Sequence, residues 1–144
     1  MPARTALFPL FLLLGLGACS LVPASPPGPA QTAVEKVASE NLSIARLTVH
    51  AMGSDETCTV LASTDGPRIG KPSDKEDLTA MLTGKPVVLE EAGACDITVP
   101  VLKKDGKWTH AIGVTLKAKP GDNRKALTKR AVEIANAVAA ELGS

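Results

Sequence analysis

Three side chains of this sequence could together contact a small ligand. Arg68 carries a guanidinium, which can hold a carboxylate or a phosphate through two parallel hydrogen bonds. Trp108 and His110 lie two residues apart in a segment of alternating polarity, so in a strand their side chains share one face. His110 adds an imidazole that titrates near neutral pH. The combination favours small-molecule binding.

Each of these residues also has a purely structural interpretation. His110 could be a hydrogen-bonded residue in the core or at its rim. Trp108 could simply fill the interior. Arg68 could hold its loop in place through Asp65 or Asp74. The sequence leaves both interpretations open.

Motifs of the common enzyme classes are absent from the sequence. Residues 66–73 superficially suggest a phosphate-binding loop, but two prolines remove the amide donors that such a loop requires. The other histidine, His50, is in phase with the polar side of its segment, and a metal site made with His110 needs at least one further ligand. We therefore expect no catalytic activity, no cofactor and no metal.

The first 18 residues have the pattern of a secretory signal. Arg4 precedes a short apolar run that ends in Leu16-Gly17-Ala18-Cys19. The run is shorter than the roughly 20 residues that a membrane-spanning helix needs. The small residues before the cysteine resemble the lipobox of bacterial lipoproteins, which implies that Cys19 becomes the lipidated N-terminus. Ser20 follows where the inner-membrane retention signal of such lipoproteins has Asp, which implies the periplasmic side of the outer membrane.

The charge balance of the remaining chain excludes several classes of partner. Removal of 18 of the 144 residues leaves 126, a usual size for one domain. Arg4 is the only one of the 16 basic side chains that is lost, so 15 basic and 15 acidic side chains remain. A neutral balance does not fit a nucleic-acid-binding protein. Trp108 is the only aromatic residue after the leader, which argues against a platform of stacked aromatic rings.

The mature chain divides into a tether and one α+β domain. Residues 19–30, with four prolines and a glycine from Ser20 to Ala30, predict a stiff spacer. Residues 31–144 predict a single domain. Hydrophobic periodicity and turn residues predict a helix from Gln31 to about Ser43, strands at Arg46–Met52 and Thr57–Ser63, a short helix from a capping box at Ser73 to Gly84, strands at Pro86–Glu91, Cys95–Lys103 and Lys107–Lys117, and a helix from Asp122 to Leu142.

This order of elements, together with residues 62–74, resembles the PAS and Cache extracytoplasmic sensor domains. Residues 62–74 read ASTDGPRIGKPSD, and Thr83-Gly84-Lys85-Pro86 fits the same pattern. The resemblance implies a five-stranded antiparallel-type sheet in the order second, first, fifth, fourth, third, flanked by N- and C-terminal helices. It also implies that the loop of Arg68 lies over one side of the sheet, and it adds Asp65 to the candidate ligand contacts Arg68, Trp108 and His110.

The two cysteines after the lipobox test this arrangement. Cys58 begins the second strand and Cys95 the fourth, which are three positions apart in the implied sheet. At about 4.8 Å per strand the separation is roughly 14 Å, whereas a disulfide needs Cα atoms within about 7 Å. We therefore expect two free, buried thiols.

The sequence favours a lipid-anchored, sensor-like module that binds a small ligand outside the cytoplasm and passes any signal to a separate protein. The alternative is a structural or protein-interaction lipoprotein of the same fold, with a filled interior and no ligand. A pocket lined by polar groups would distinguish the first from the second.

Overall fold

The computed structural model describes residues 26–143. The predicted signal peptide, Cys19 and the first part of the predicted tether lie outside these residues. Three helices and five strands form in the predicted order: α1 (Pro29–Ser39), β1 (Ile44–Met52), β2 (Cys58–Ser63), α2 (Lys75–Thr83), β3 (Val87–Glu91), β4 (Ala94–Lys104), β5 (Lys107–Lys117) and α3 (Arg124–Leu142).

The five strands form one antiparallel sheet in the order β2-β1-β5-β4-β3. This confirms the predicted α+β fold, its sheet order and its flanking helices. The long hairpin of β4 and β5 turns at Asp105 and Gly106, both of which have positive φ, as a tight hairpin requires.

Helix α1 begins earlier than expected. Its first residue is Pro29, which lies inside the segment predicted to be a tether, and its last is Ser39. Proline is well accommodated in the first turn of a helix, because the missing N–H would have no partner inside the helix there. Helix α2 has an N-cap one residue later than predicted: Asp74 caps it, and the Asp77 carboxylate accepts a hydrogen bond from the Asp74 backbone N–H at 2.9 Å.

Helices α1 and α3 cover one face of the sheet and enclose the main hydrophobic core. The strand residues in this core alternate along the chain, as in Ile112, Val114 and Leu116 of β5, and all three are fully buried. Burial of one such side chain stabilises the fold by about 1.5–3 kcal/mol. This face therefore carries most of the apolar stabilisation.

The opposite face is covered by α2 and by residues 64–74, which connect β2 to α2. A small apolar cluster centred on Met81 packs at one end of this face. The centre of the face is polar, because threonine, histidine and aspartate side chains alternate with the core residues of β1 and β4. The buried polar residues on these two strands are Thr48, His50 and Thr98.

Candidate functional site

A pocket of about 160 Å³ lies between the polar face of the sheet and the segment that connects β2 to α2. Gly113 of β5 lies in the middle of its floor, since it pairs with Thr48 of β1 on one side and with Thr98 of β4 on the other. A Cβ atom at position 113 would come within 3.2 Å of His50 Nε2. The missing side chain therefore leaves the room that the pocket occupies.

His50 is the most deeply buried titratable side chain at this pocket, with 3% of the side chain exposed. Its Nδ1 lies 2.8 Å from Ser73 Oγ and 3.3 Å from Asp77 Oδ2. Burial lowers the pKa of His50 below 6.5, more than the Asp77 carboxylate raises it. Burial therefore favours the neutral form of the ring at pH 7.

Asp77 connects α2 to the sheet. Its Oδ1 accepts a hydrogen bond from Thr98 Oγ1 at 2.9 Å, and its Oδ2 accepts the Asp74 backbone N–H. Burial raises the pKa of Asp77, while His50 and the Thr98 hydrogen bond act in the opposite direction. The residue thus caps its own helix and also fixes the helix over the pocket.

A second polar row crosses the sheet beside Gly113. Arg46, Thr115 and Asp96 face one another across β1, β5 and β4. Thr115 Oγ1 donates to Asp96 Oδ1 at 2.8 Å, and Arg46 lies 3.5 Å from Asp96 Oδ2. The row places a carboxylate and a guanidinium at one wall of the pocket.

The segment that connects β2 to α2 supplies the opposite wall through Arg68 and Asp74. Arg68 Nη2 donates to Asp74 Oδ2 at 3.1 Å, so Arg68 lines the pocket and is also fixed to its own segment. Arg68 Nε is buried and has no hydrogen-bond partner within the described residues. The structural interpretation of Arg68 therefore holds through Asp74, and contact with a ligand stays a prediction.

The structure does not bring Trp108 and His110 to this pocket. The β4–β5 pairing slips between Leu102 and Lys103, so Thr109 is an extra residue between the paired positions His110 and Trp108. Trp108 consequently turns to the α2 side and packs near Met81, whereas His110 stays in phase with Ile112 on the other side. The expectation that the two side chains share a face is wrong.

Trp108 lies at a separate, wider groove beside the tip of the β4–β5 hairpin. Its ring is covered by the Lys103 ammonium, 4.3 Å from the ring centroid. His110 is half-buried and bonds to Thr109 Oγ1 through Nδ1 at 3.0 Å. Burial lowers the pKa of His110.

Asp65 is likewise absent from the residues that line the polar pocket. It is exposed at the start of a single 3₁₀ turn, Gly66–Arg68, and its backbone carbonyl accepts the Arg68 N–H. Arg68 pairs with Asp74 and not with Asp65. Of the four ligand contacts expected from the sequence, only Arg68 lines the pocket.

Cys58 and Cys95 lie on β2 and β4 and are both free, buried thiols in the structure. Cys58 Sγ contacts Ser73 Oγ at 3.2 Å, next to His50. Cys95 lies in the main core. Burial raises the pKa of both thiols, which disfavours the reactive thiolate.

The residues that sequence reasoning missed are mainly His50, Asp77, Thr98, Arg46 and Asp96. The pattern did contain a signal for the strand residues, since polar side chains occupy the same phase on β1 and β4. Asp77 could not be found this way, because its position depends on how α2 packs on the sheet.

The combination of Ser73, His50 and Asp77 invites comparison with a catalytic triad. In a triad the serine and the aspartate bind opposite nitrogens of the imidazole, so that a proton can pass across the ring. Here both residues approach the same atom, Nδ1. The arrangement is therefore a hydrogen-bonded anchor for the ring. Residues 26–143 contain no group of three or more His, Cys, Asp or Glu side chains that could hold a metal ion.

The fold is that of GAF domains. The chain is similar to the GAF domain of an Acinetobacter phosphoenolpyruvate-protein phosphotransferase, with a TM-score of 0.56, 16% identity, and coverage of 83% of this chain and 84% of the other. It is also similar to the A. aeolicus nlh2 GAF domain in an inactive state, with a TM-score of 0.57, 14% identity and coverage of 83% and 85%.

The sensor domain of E. coli DcuS is matched less well, with a TM-score of 0.48, 19% identity and coverage of 72% of this chain and 71% of the other. No protein-family profile and no curated protein matches the sequence. At these identities the similarities to the two GAF domains establish the fold and nothing further. In the part of the chain from residue 26 to residue 143, no helix is long and apolar enough to cross a membrane.

Proposed function

We propose that this protein is a non-catalytic binding module that takes a small polar ligand between its sheet and helix α2. The observation that carries the proposal is the pocket over Gly113, with its buried polar side chains. Removing polar groups from water costs free energy unless they find partners, and an apolar interior would fill the same space more stably. Polar side chains that converge on one pocket are the groups that fix the orientation of a small ligand.

We also propose that the module is tethered through lipid on Cys19 at the periplasmic side of the outer membrane, and that it signals through a separate protein. The support for the lipid anchor is the leader sequence, which has a charged start, a short apolar run and small residues before the cysteine. Several acyl chains would anchor the protein firmly, since burial is worth about 0.8 kcal/mol per methylene.

The alternative is a structural or interaction lipoprotein with no ligand. It is favoured by the internal hydrogen bonds of Asp77 and Asp96, which satisfy these carboxylates without a ligand. The two proposals differ in what a small molecule does to the stability of the protein.

Thermal unfolding of the full-length protein with a panel of amino acids, amines, carboxylates and purines separates them. A ligand that binds only the folded state raises the melting temperature. We expect at least one compound to do so for the wild type and for His110→Ala, whose side chain lies away from the pocket. The same compound should have less effect on Gly113→Ala, because the added methyl group occupies the floor of the pocket, 3.2 Å from His50 Nε2. A panel without any stabilising compound, or equal responses of both variants, would refute the proposed site.

A further inference from the structure

We propose that the ligand of this pocket is a compact cation with an ammonium end group, a proposal that rests on the function proposed above. The argument comes from the charges that line the pocket, from the hydrogen-bonding state of each polar group, and from the size of the space.

Negative groups outnumber positive ones around the pocket. Two guanidinium groups, those of Arg46 and Arg68, line it against five carboxylates, those of Asp74, Glu76, Asp77, Glu91 and Asp96. With a neutral imidazole, the formal balance of these side chains is two positive against five negative charges. A field of this sign attracts cations and repels anions.

The positive groups are already engaged. Arg46 faces the Asp96 carboxylate at 3.5 Å, and Arg68 faces the Asp74 carboxylate at 3.1 Å. Among the buried side-chain nitrogen and oxygen atoms of the described residues, Arg68 Nε alone lacks a hydrogen-bond partner, and it is closed to solvent, so a ligand cannot reach it while the segment keeps its place. An anion would have to compete with these carboxylates for the two guanidinium groups.

Acceptors, in contrast, remain available. His50 Nδ1 faces Asp77 and Ser73, and in the neutral ring a proton on this atom leaves the lone pair on Nε2. Nε2 has no hydrogen-bond partner among the described residues, although the side chain is only 3% exposed and lines the pocket. This acceptor is separate from the acidic rim, and it is available to an N–H donor of a ligand in the pocket.

The remaining two carboxylates complete the site. Glu76 and Glu91 line the rim, at the start of α2 and at the end of β3, and neither has an ion-pair partner in the described structure. An ammonium offers several N–H donors and a positive charge, which suits a neutral imidazole nitrogen surrounded by carboxylates. A volume of about 160 Å³ corresponds to roughly five water molecules of about 30 Å³ each, so the ligand must be small.

Four compounds that share a four-carbon chain and differ in their end groups provide a direct test. They are 1,4-diaminobutane, 4-aminobutanoate, 1,4-butanediol and butanedioate. Titration calorimetry with the full-length protein at pH 7.5 and low salt should give the tightest binding for the diamine, weaker binding for the amino acid, and none for the diol or the diacid. Added salt should weaken the binding of the diamine, because exposed charges are screened.

Variants distinguish a site at the pocket from general attraction to an acidic protein. The double change Glu76→Gln with Glu91→Gln should weaken diamine binding about fivefold, as expected for two partly exposed ion pairs. The matched control, Glu90→Gln with Glu133→Gln, removes two negative charges outside the pocket and should change the affinity less than twofold. Equal losses in the two double variants would overturn the inference.

The outcome also separates this inference from the proposed function. If butanedioate binds most tightly and Arg68→Ala abolishes its binding, the pocket is a ligand site but the ligand is an anion, and the inference on charge is wrong. If none of the four compounds binds, the inference is also wrong, while the broader thermal panel decides the proposed function on its own.

Discussion

At the scale of single residues, the site is centred on the His50 imidazole, whose Nδ1 has two polar neighbours. Because Ser73 and Asp77 both approach Nδ1 of His50, the ring is held in one orientation and Nε2 is left over the glycine floor. Charged groups face this ring from three directions: Asp77 from α2, Arg68 and Asp74 from the segment before α2, and Asp96 from β4.

The depressed pKa of His50 predicts a loss of stability on acidification. The unfolded chain takes up a proton near pH 6.5, whereas the folded protein resists it, so the free energy of unfolding should fall as the pH drops below about 6.5. The raised pKa of Asp77 has the opposite effect, because the folded protein takes up this proton before the unfolded chain does. Its contribution to stability therefore increases as the pH falls from the folded pKa toward 3.8. Urea titrations between pH 7.5 and 6 measure the contribution of His50.

His50→Gln should flatten this dependence. His110→Gln should keep most of it, because the half-buried His110 is less cut off from water. Equal slopes for the wild type and His50→Gln would show that the ring does not carry the effect.

The two aspartates that accept from threonines offer a matched comparison. Thr98→Val removes the donor to Asp77, which is 8% exposed, whereas Thr115→Val removes the donor to Asp96, which is 21% exposed. An unsatisfied buried acceptor costs about 1–3 kcal/mol, and water can replace the donor only where it has access. We expect Thr98→Val to be the more destabilising change in urea unfolding, and equal costs would contradict the burial argument.

At the scale of elements, the end of α2 is fixed by contact with the β4–β5 hairpin. Gly84 has φ of +67°, and a Cβ atom there would lie 2.6 Å from Trp108 Nε1. Gly93 has φ of +75°, and a Cβ atom at position 93 would have nothing within 4 Å of it. Both positions therefore share the conformational requirement for glycine, but only Gly84 is also packed.

Gly84→Ala should accordingly cost more stability than Gly93→Ala. Both changes place a side chain in a left-handed conformation, at about 1 kcal/mol, and Gly84→Ala must also displace Trp108, at about 1–3 kcal/mol more. Chemical denaturation of the two variants measures the difference. A smaller or equal loss for Gly84→Ala would mean that Trp108 moves aside without cost.

The elements themselves could largely be predicted from the sequence, and the site only in part. Alternation along β1 and β4 and the turn at Asp105-Gly106 identify the strands, because burial on one face imposes a period of two. The placement of Trp108 could not be predicted, since one extra residue at Thr109 reverses the face of everything beyond it. Arg68 was found by its chemistry, whereas Asp77 reaches His50 only through tertiary packing.

At the scale of the whole molecule, the lipid anchor is a prediction that cell fractionation tests. Cys19→Ser should prevent acylation and release the protein into the soluble fraction, because the mature chain would have no thiol to carry the acyl chains that hold it in the membrane. Ser20→Ala, which leaves the cysteine in place, is the control and should remain in the membrane fraction. Retention of the Cys19→Ser protein in membranes would contradict the prediction.

The segment that leads into α2 also determines which edge of the sheet is open to pairing with a second copy of the chain. Its residues 70–73 run along the outer side of β2, with Ser73 N–H donating to Cys58 O at 2.9 Å and a bridge between Thr59 and Pro72. Within the described residues, β3 is then the one lateral edge of the sheet that lacks a partner. If two copies pair through their β3 strands, neither copy has a free edge left, and the pair is closed. Residues 70–73 cover β2 at the other edge, so the sheet cannot extend there into a filament.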